Sequence, residues 1–351
     1  MRSFLTLAKT TMKNICCLLL AGMLVSGCRT PLDPANSHSN LRTRTVLKYI
    51  QSLETKPDKR LLSGQFSNFG DTANLNLLAN VHYQTGHWPA ILGVDYAGGG
   101  GINTETPNRA AIEYWEAGGL VTISTHLYNP ARATNDAFSG LRDRDVDLNT
   151  LLAPGTEAHA RWMQELDQVA TGLQELQNRG VVVLWRPFHE MNGNWFWWDG
   201  KDPETFKQLW RQMFVYFTRT KHLNNLLWVF NANEVRENVG PYADYYPGAD
   251  VVDVLATDVY RGGFARHDYD GLLALAGPKP IALGEVGKLP TPELLHGQPR
   301  WAWFMLWGDP SGLWAERDKI RASYEDEQVV TREKLPWVGG KKPKIHYPVL
   351  K

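Results

Sequence analysis

Val181-Val182-Val183-Leu184-Trp185-Arg186-Pro187-Phe188-His189-Glu190-Met191-Asn192-Gly193-Asn194-Trp195-Phe196-Trp197-Trp198 is the stretch that decides which fold this chain takes. Its first five residues form an unbroken apolar, largely β-branched run, the pattern of a strand buried on both faces in a parallel sheet. Arg, His and Glu then arrive together where such a strand ends, followed by Asn-Gly, a turn signal, and four aromatic residues. On an extended strand Leu184, Arg186, Phe188 and Glu190 share one parity, so Arg186 and Glu190 are expected to point to the same side. A carboxylate beside a guanidinium and an imidazole, next to aromatic surface, suits a polyhydroxylated substrate. The competing explanation is a buried Arg–Glu pair in a Trp-rich core.

Outward from this stretch, short apolar runs alternate with amphipathic ones. Strands are expected at Leu61–Gln65, Ala90–Tyr96, Leu120–His126, Val181–Phe188, Leu226–Asn231, Val251–Tyr260, Ile281–Glu285 and Ala302–Trp307. Helices are expected from Leu41 to about Glu54, over Glu157–Asn178 and over Pro203–Lys221, the last with Asp202 as cap and Pro203 at its first position. Eight strands separated by helices in roughly 250–300 residues predict an α/β fold of the (β/α)₈ barrel type, here as a single catalytic domain over residues 42–351. No Gly-rich dinucleotide loop follows the first strand, which removes the main support for a Rossmann fold. Gly98–Gly101 lacks the spacing of a phosphate cradle and is expected to be a mobile loop.

In such a barrel the chemistry sits at the C-terminal strand ends, and the unusual polar residues fall there. In strand order they are Asp95-Tyr96, Ser124-Thr125-His126, Arg186 with His189 and Glu190, Asn231, Asp258 with Tyr260, Gly284-Glu285, and Trp307-Gly308-Asp309. Singly, each could be a satisfied rim residue, and for a lone His126 or Tyr260 that is the favoured reading; together they ring one opening. Glu190 and Glu285 stand on strands four and seven, and two carboxyls ~5–5.5 Å apart are what retaining glycoside hydrolysis needs. One must stay protonated through burial and its partner's charge, the other ionised, with Arg186 and Tyr260 available as donors. The histidines lack a compact ligand spacing, so neither a metal nor any other cofactor is expected.

The ends and the composition bound the setting. Arg2, Lys9 and Lys13 precede an apolar run, Ile15–Val25, that is too short to span a bilayer and reads as a signal peptide ending at residue 27. Val25-Ser26-Gly27-Cys28 resembles a bacterial lipobox, with Cys28 as the lipidated residue; Met12 is an equally good start. Residues 28–41, with Pro31 and Pro34, are expected to be a flexible tether. Cys16, Cys17 and Cys28 are the three cysteines, so the exported chain would carry neither disulfide nor free thiol. With 37 basic against 37 acidic residues, nucleic acid and anionic lipid are poor partners. The 14 tryptophans favour carbohydrate, whose rings stack on indole faces, or else a Trp-rich core.

Arg186 through Gly193, with Trp195-Phe196-Trp197-Trp198 behind it, resembles the signature of glycoside hydrolase family 26, mostly β-mannanases. Trp88-Pro89-Ala90 with Gly93-Val94-Asp95, Ser124 through His126 with Asn129-Pro130, Tyr245-Tyr246-Pro247-Gly248 before Val252-Asp253, and Gly284-Glu285 follow in family order. The resemblance implies a retaining barrel hydrolase with Glu190 as acid/base and Glu285 as nucleophile. It further implies that Tyr260 hydrogen-bonds the nucleophile, and that His126, His189, Trp195 and Trp307 line the subsite of the cleaved sugar. Thr125 departs from the Trp usual in the family, which bears on the substrate. β-1,4-Mannan or mannooligosaccharide is thus the expected substrate of a monomeric protein lipid-anchored at the bacterial cell envelope. β-1,3-Xylan, mixed-linkage glucan, and a non-catalytic surface glycan-binding lipoprotein are the alternatives. Internal cleavage and chain-end release are both open.

Overall fold

The computed structural model describes residues 32–55, 60–98, 101–133, 139–260, 263–308 and 317–337. Eight parallel strands close into a barrel: β1 (Leu61–Phe69), β2 (Ile91–Asp95), β3 (Leu120–Ser124), β4 (Val183–Arg186), β5 (Leu226–Asn233), β6 (Val254–Val259), β7 (Ile281–Val286) and β8 (Trp301–Leu306). Closure is the pairing of β8 with β1, with Leu62 opposite Trp303 and Gln65 opposite Leu306. The outer layer includes α1 (Leu41–Thr55), α2 (Asn76–Thr85), α3 (Glu105–Glu116), α4 (Glu157–Asn178), α5 (Pro203–Val215), α6 (Arg266–Ala276) and α7 (Arg317–Glu325). This is the expected (β/α)₈ barrel.

The β4 run is apolar on both faces because both faces are buried. Leu184 joins the barrel interior with Leu62, Leu227, Val229, Ala256, Ala282 and Ala302, whereas Val183 and Trp185 pack against the outer helices. α1 contributes Val46, Leu47, Ile50 and Leu53 to the interior cluster, closing the N-terminal end of the barrel. The opposite, C-terminal end is left for the site. α4 starts with the Thr156 hydroxyl accepting from His159 N–H at 3.0 Å, and α5 with Asp202 accepting from Thr205 N–H at 2.9 Å. The α5 segment stays helical only to Val215, then continues as a π-helical turn over Tyr216–Thr220.

Three expectations need correction. Residues 28–41 are not a free tether throughout: Ala35 N–H donates to Asp253 at 2.7 Å, Asn36 to the Leu223 carbonyl at 3.0 Å and Asn40 to Asn224 at 2.8 Å. Polar residues that looked solvated in sequence are hydrogen-bonded to the barrel floor. Gly98 and Gly101 belong to an antiparallel pairing of Ala97–Gly98 with Gly101–Ile102, while residues 99 and 100 lie outside the described residues. Strand β4 ends at Arg186, two residues before its expected end, because Phe188 and Glu190 take positive φ angles of 50° and 58°. The parity argument therefore fails at Phe188, which turns outward into the helix layer. The leader and Cys28 lie outside the described residues.

Candidate active site

At the C-terminal mouth of the barrel, Glu190, Asp258 and Glu285 are brought together from the turn after β4 and from β6 and β7, with one carboxylate oxygen of each within 4.8 Å of the others. All three are buried. The fixed cation among them is Arg186, also buried, whose guanidinium lies 2.6 Å from Glu285 Oε1 and 3.5 Å from Asp258 Oδ2. Three buried carboxylates beside one guanidinium cannot all ionise cheaply. Burial, then the charge of Glu285, pushes Asp258 well above the usual carboxylate range.

Glu190 and Glu285 occupy opposite environments. The Tyr260 hydroxyl donates to Glu285 Oε2 while Arg186 binds Oε1, so Glu285 is held by a cation and a phenol. Glu190 receives hydrogen bonds from Trp195 Nε1 and Asn233 Nδ2, each at 2.6 Å. Those two donors favour its ionised form, but burial and the negative charge of Glu285 outweigh them and push it up to about 7. Its position owes nothing to strand alternation: the left-handed turn at Glu190 docks its N–H on the Asn231 carbonyl at 2.8 Å. On the far side, β7 comes so close at Gly284 that a Cβ there would lie 1.7 Å from Asn231 Oδ1. Only glycine permits this approach immediately before Glu285.

A cavity of about 350 Å³ opens over the carboxylates, lined by His126, His189, Trp195, Asn233, Tyr260 and Trp307 together with the two glutamates. Trp307 stacks on Phe66 with ring centroids 3.6 Å apart, and Arg236 lies over Trp195 at 5.6 Å. Two carboxyl groups at this separation, one kept protonated and one held by cationic and phenolic donors, fit double displacement at an anomeric carbon.

The family model for glycosyl hydrolase family 26 matches residues 35–334. The chain belongs to glycosyl hydrolase family 26. It is 33% identical over 340 residues to mannan endo-1,4-beta-mannosidase A and B of Caldalkalibacillus mannanilyticus, covering 86% of this chain and 63% of that protein. The match to the Bacillus subtilis mannan endo-1,4-beta-mannosidase is also 33% identical, over 88% of this chain and 90% of the relative. Among solved structures, GH26A from Muricauda sp. MAR_2010_75 superposes with a TM-score of 0.80 at 36% identity, covering 85% of this chain and 99% of that one.

In this family 26 chain the structure gathers the expected catalytic and sugar-lining residues at one mouth: Glu190, Glu285, His126, His189, Trp195, Tyr260 and Trp307 line the cavity, and Arg186 lies buried against Glu285. Tyr96, expected on the same rim, packs instead in the core with its hydroxyl on Asn108, and Asp309 lies outside the described residues. Asn233 and Arg236 were not anticipated. The expected end of β5 fell at Asn231, two residues short; the Asn231-Ala232-Asn233 alternation was the available signal. Trp197 and Trp198 are not sugar platforms. Both are fully buried, donating to the Leu127 and His189 carbonyls at 2.8 and 2.9 Å. Trp197→Ala is therefore expected to cost about 3–5 kcal/mol of stability, read by denaturant unfolding. Trp195→Ala should change kinetics with a much smaller loss, and equal losses would refute the distinction.

Proposed function

We propose that this family 26 protein hydrolyses β-1,4-mannosidic linkages of mannan and mannooligosaccharides with retention at the anomeric carbon, Glu285 acting as nucleophile and Glu190 as acid/base. The observation that carries this is the pair of carboxyls within 4.8 Å in opposite electrostatic settings. Glu285 attacks the anomeric carbon as the glycosidic C–O bond breaks, and the Glu190 proton goes to the leaving oxygen. Glu190, now ionised, takes a proton from water, whose oxygen displaces Glu285 from the sugar. Arg186 and Tyr260 steady the Glu285 carboxylate before attack and after release. His126, His189 and Trp307 wall the cleaved sugar. Similarity to mannan endo-1,4-beta-mannosidases supports mannan as the substrate, and the geometry supports the reaction class.

A second cavity of about 450 Å³ shares His126 and Phe196 with the first and runs over Phe69, Ala97 and Tyr128. This continuation favours a chain of sugars over a single one. The direct test is proton NMR of mannohexaose digestion. Newly formed reducing ends should appear first as the β-anomer, and the product spread separates internal cleavage from chain-end release. First appearance of the α-anomer refutes retention. Turnover of β-1,3-xylan or mixed-linkage glucan with mannan untouched refutes the substrate.

We also propose attachment to the cell envelope through lipid on Cys28, on the strength of the Val25-Ser26-Gly27-Cys28 sequence. Cys28→Ser is expected to move the protein from the membrane fraction to the soluble one. An unchanged distribution would remove the lipid anchor from the proposal.

A further inference from the structure

Two imidazoles meet at the cavity wall, and a carboxylate behind them decides where their protons lie. Asp95, at the end of β2, is buried and accepts four hydrogen bonds. Its Oδ2 receives Ser124 Oγ at 2.5 Å and His126 Nδ1 at 2.8 Å, and its Oδ1 receives the N–H groups of Ala97 at 2.7 Å and His126 at 3.1 Å. Burial works against ionisation, but the attraction and hydrogen bond of His126, with the hydrogen bonds from Ser124 and Ala97, together outweigh it and hold the carboxyl below its usual range. An ionised carboxylate has no proton to give, so His126 Nδ1 carries the hydrogen. In the neutral ring this leaves Nε2 as a lone pair.

His189 Nε2 lies 3.1 Å from His126 Nε2. With the lone pair on His126, the hydrogen between them belongs to His189. Burial above all, with the Arg186 cation adding to it, keeps His189 neutral by pushing it well below the usual imidazole range. Its Nδ1 has no hydrogen-bond partner among the described residues. Besides Asp95, the charged and titratable groups around the pair are Arg186 and Glu190 from β4 and its loop, with Tyr128 on the Asp95 side.

We infer that Asp95 is a positioning residue that fixes the direction of the His126–His189 hydrogen bond, so that a sugar hydroxyl entering between the rings accepts from His189 Nε2 and donates to His126 Nε2. Both rings line the cavity beside Glu190 and Glu285. Only a group that is donor and acceptor at once replaces that bond without loss, and a hydroxyl is what a polyol substrate offers. The identity of the sugar rests on the proposed mannan hydrolysis, whereas the direction of the bond does not.

The test begins with ¹⁵N–¹H NMR of the histidine rings in the wild-type protein near neutral pH. The expected result is an Nδ1–H ring at His126 and an Nε2–H ring at His189; an Nε2–H ring at His126 overturns the inference whatever the sugar. Asp95→Asn, whose amide presents either a donor or an acceptor to Nδ1, should give mixed tautomers and a kcat/KM on mannohexaose lower by on the order of 10²-fold. A series of monodeoxy mannosyl substrates then separates positioning from scaffolding. For the analogue lacking the hydroxyl that enters between the rings, wild type and variant should agree within about threefold. A uniform loss across the series would make Asp95 merely structural. Cleavage of another β-glycan in place of mannan would overturn the proposed substrate and leave the tautomer result standing.

Discussion

Glu285→Ala is expected to lower turnover of mannan by on the order of 10⁵-fold, because it deletes the group proposed to form the covalent intermediate and no neighbour is placed to replace it. Asp258 is a neighbouring carboxyl, but burial, then the charge of Glu285, favours its protonated form while Glu285 is present. The substitution also leaves the buried Arg186 guanidinium without its 2.6 Å partner, with Asp258 oxygen at 3.5 Å. Some loss of stability is therefore expected, since a buried charge pair broken on one side is costly. Activity loss through unfolding is told apart by adding azide or formate to the folded variant. A small anion entering the space left by the carboxylate should restore measurable turnover and yield an α-configured glycosyl product. A variant that keeps more than about one hundredth of wild-type turnover would exclude Glu285 as nucleophile.

Glu190→Gln should slow cleavage of unactivated linkages by about 10²–10⁴-fold, the range of a positioned general acid. Its signature is the pH profile. Burial first and the charge of Glu285 second push Glu190 up to about 7. Its acidic form is the one needed for the first step, so wild-type kcat/KM should fall as pH rises through about 7. That basic limb should be missing in the variant. Stability carries the same sign: a carboxyl whose folded-state pKa is raised stabilises the fold below its unfolded pKa, and that contribution is lost as pH rises through the folded value. The neutral amide should therefore raise Tm at pH 8 relative to wild type, with little difference at pH 4. An unchanged basic limb would assign the proton donor elsewhere.

Much of this site is legible in the sequence. Arg186, His189 and Glu190 follow directly on a run of β-branched residues, and Gly284-Glu285 closes another, so their placement at strand ends follows from local pattern alone. Tyr260 and Trp307 were legible in the same way. Asn233 was not, because an apolar-to-polar change at Asn231 looks like a strand end when the pairing partner is unknown; the ladder continues to Asn233 opposite Asp258. Trp195 and Trp197 are chemically alike and two residues apart. Only the loop's path separates the cavity wall from the core. Thr125, the departure from the family pattern, is buried and lines neither described cavity.

What the amino-acid order determined by itself was the alternation of strand and helix, the residues standing at strand ends and the family signature. These depend on dihedral preference and periodicity within a few neighbouring residues. The convergence of Glu190 with Glu285 depended on the closed barrel, as did the rise of Glu190 to about 7 and the orientation of the His126–His189 bond by Asp95. Each is set by burial and by charges far apart in the chain, which have no counterpart until β1 pairs with β8 and the strand ends meet.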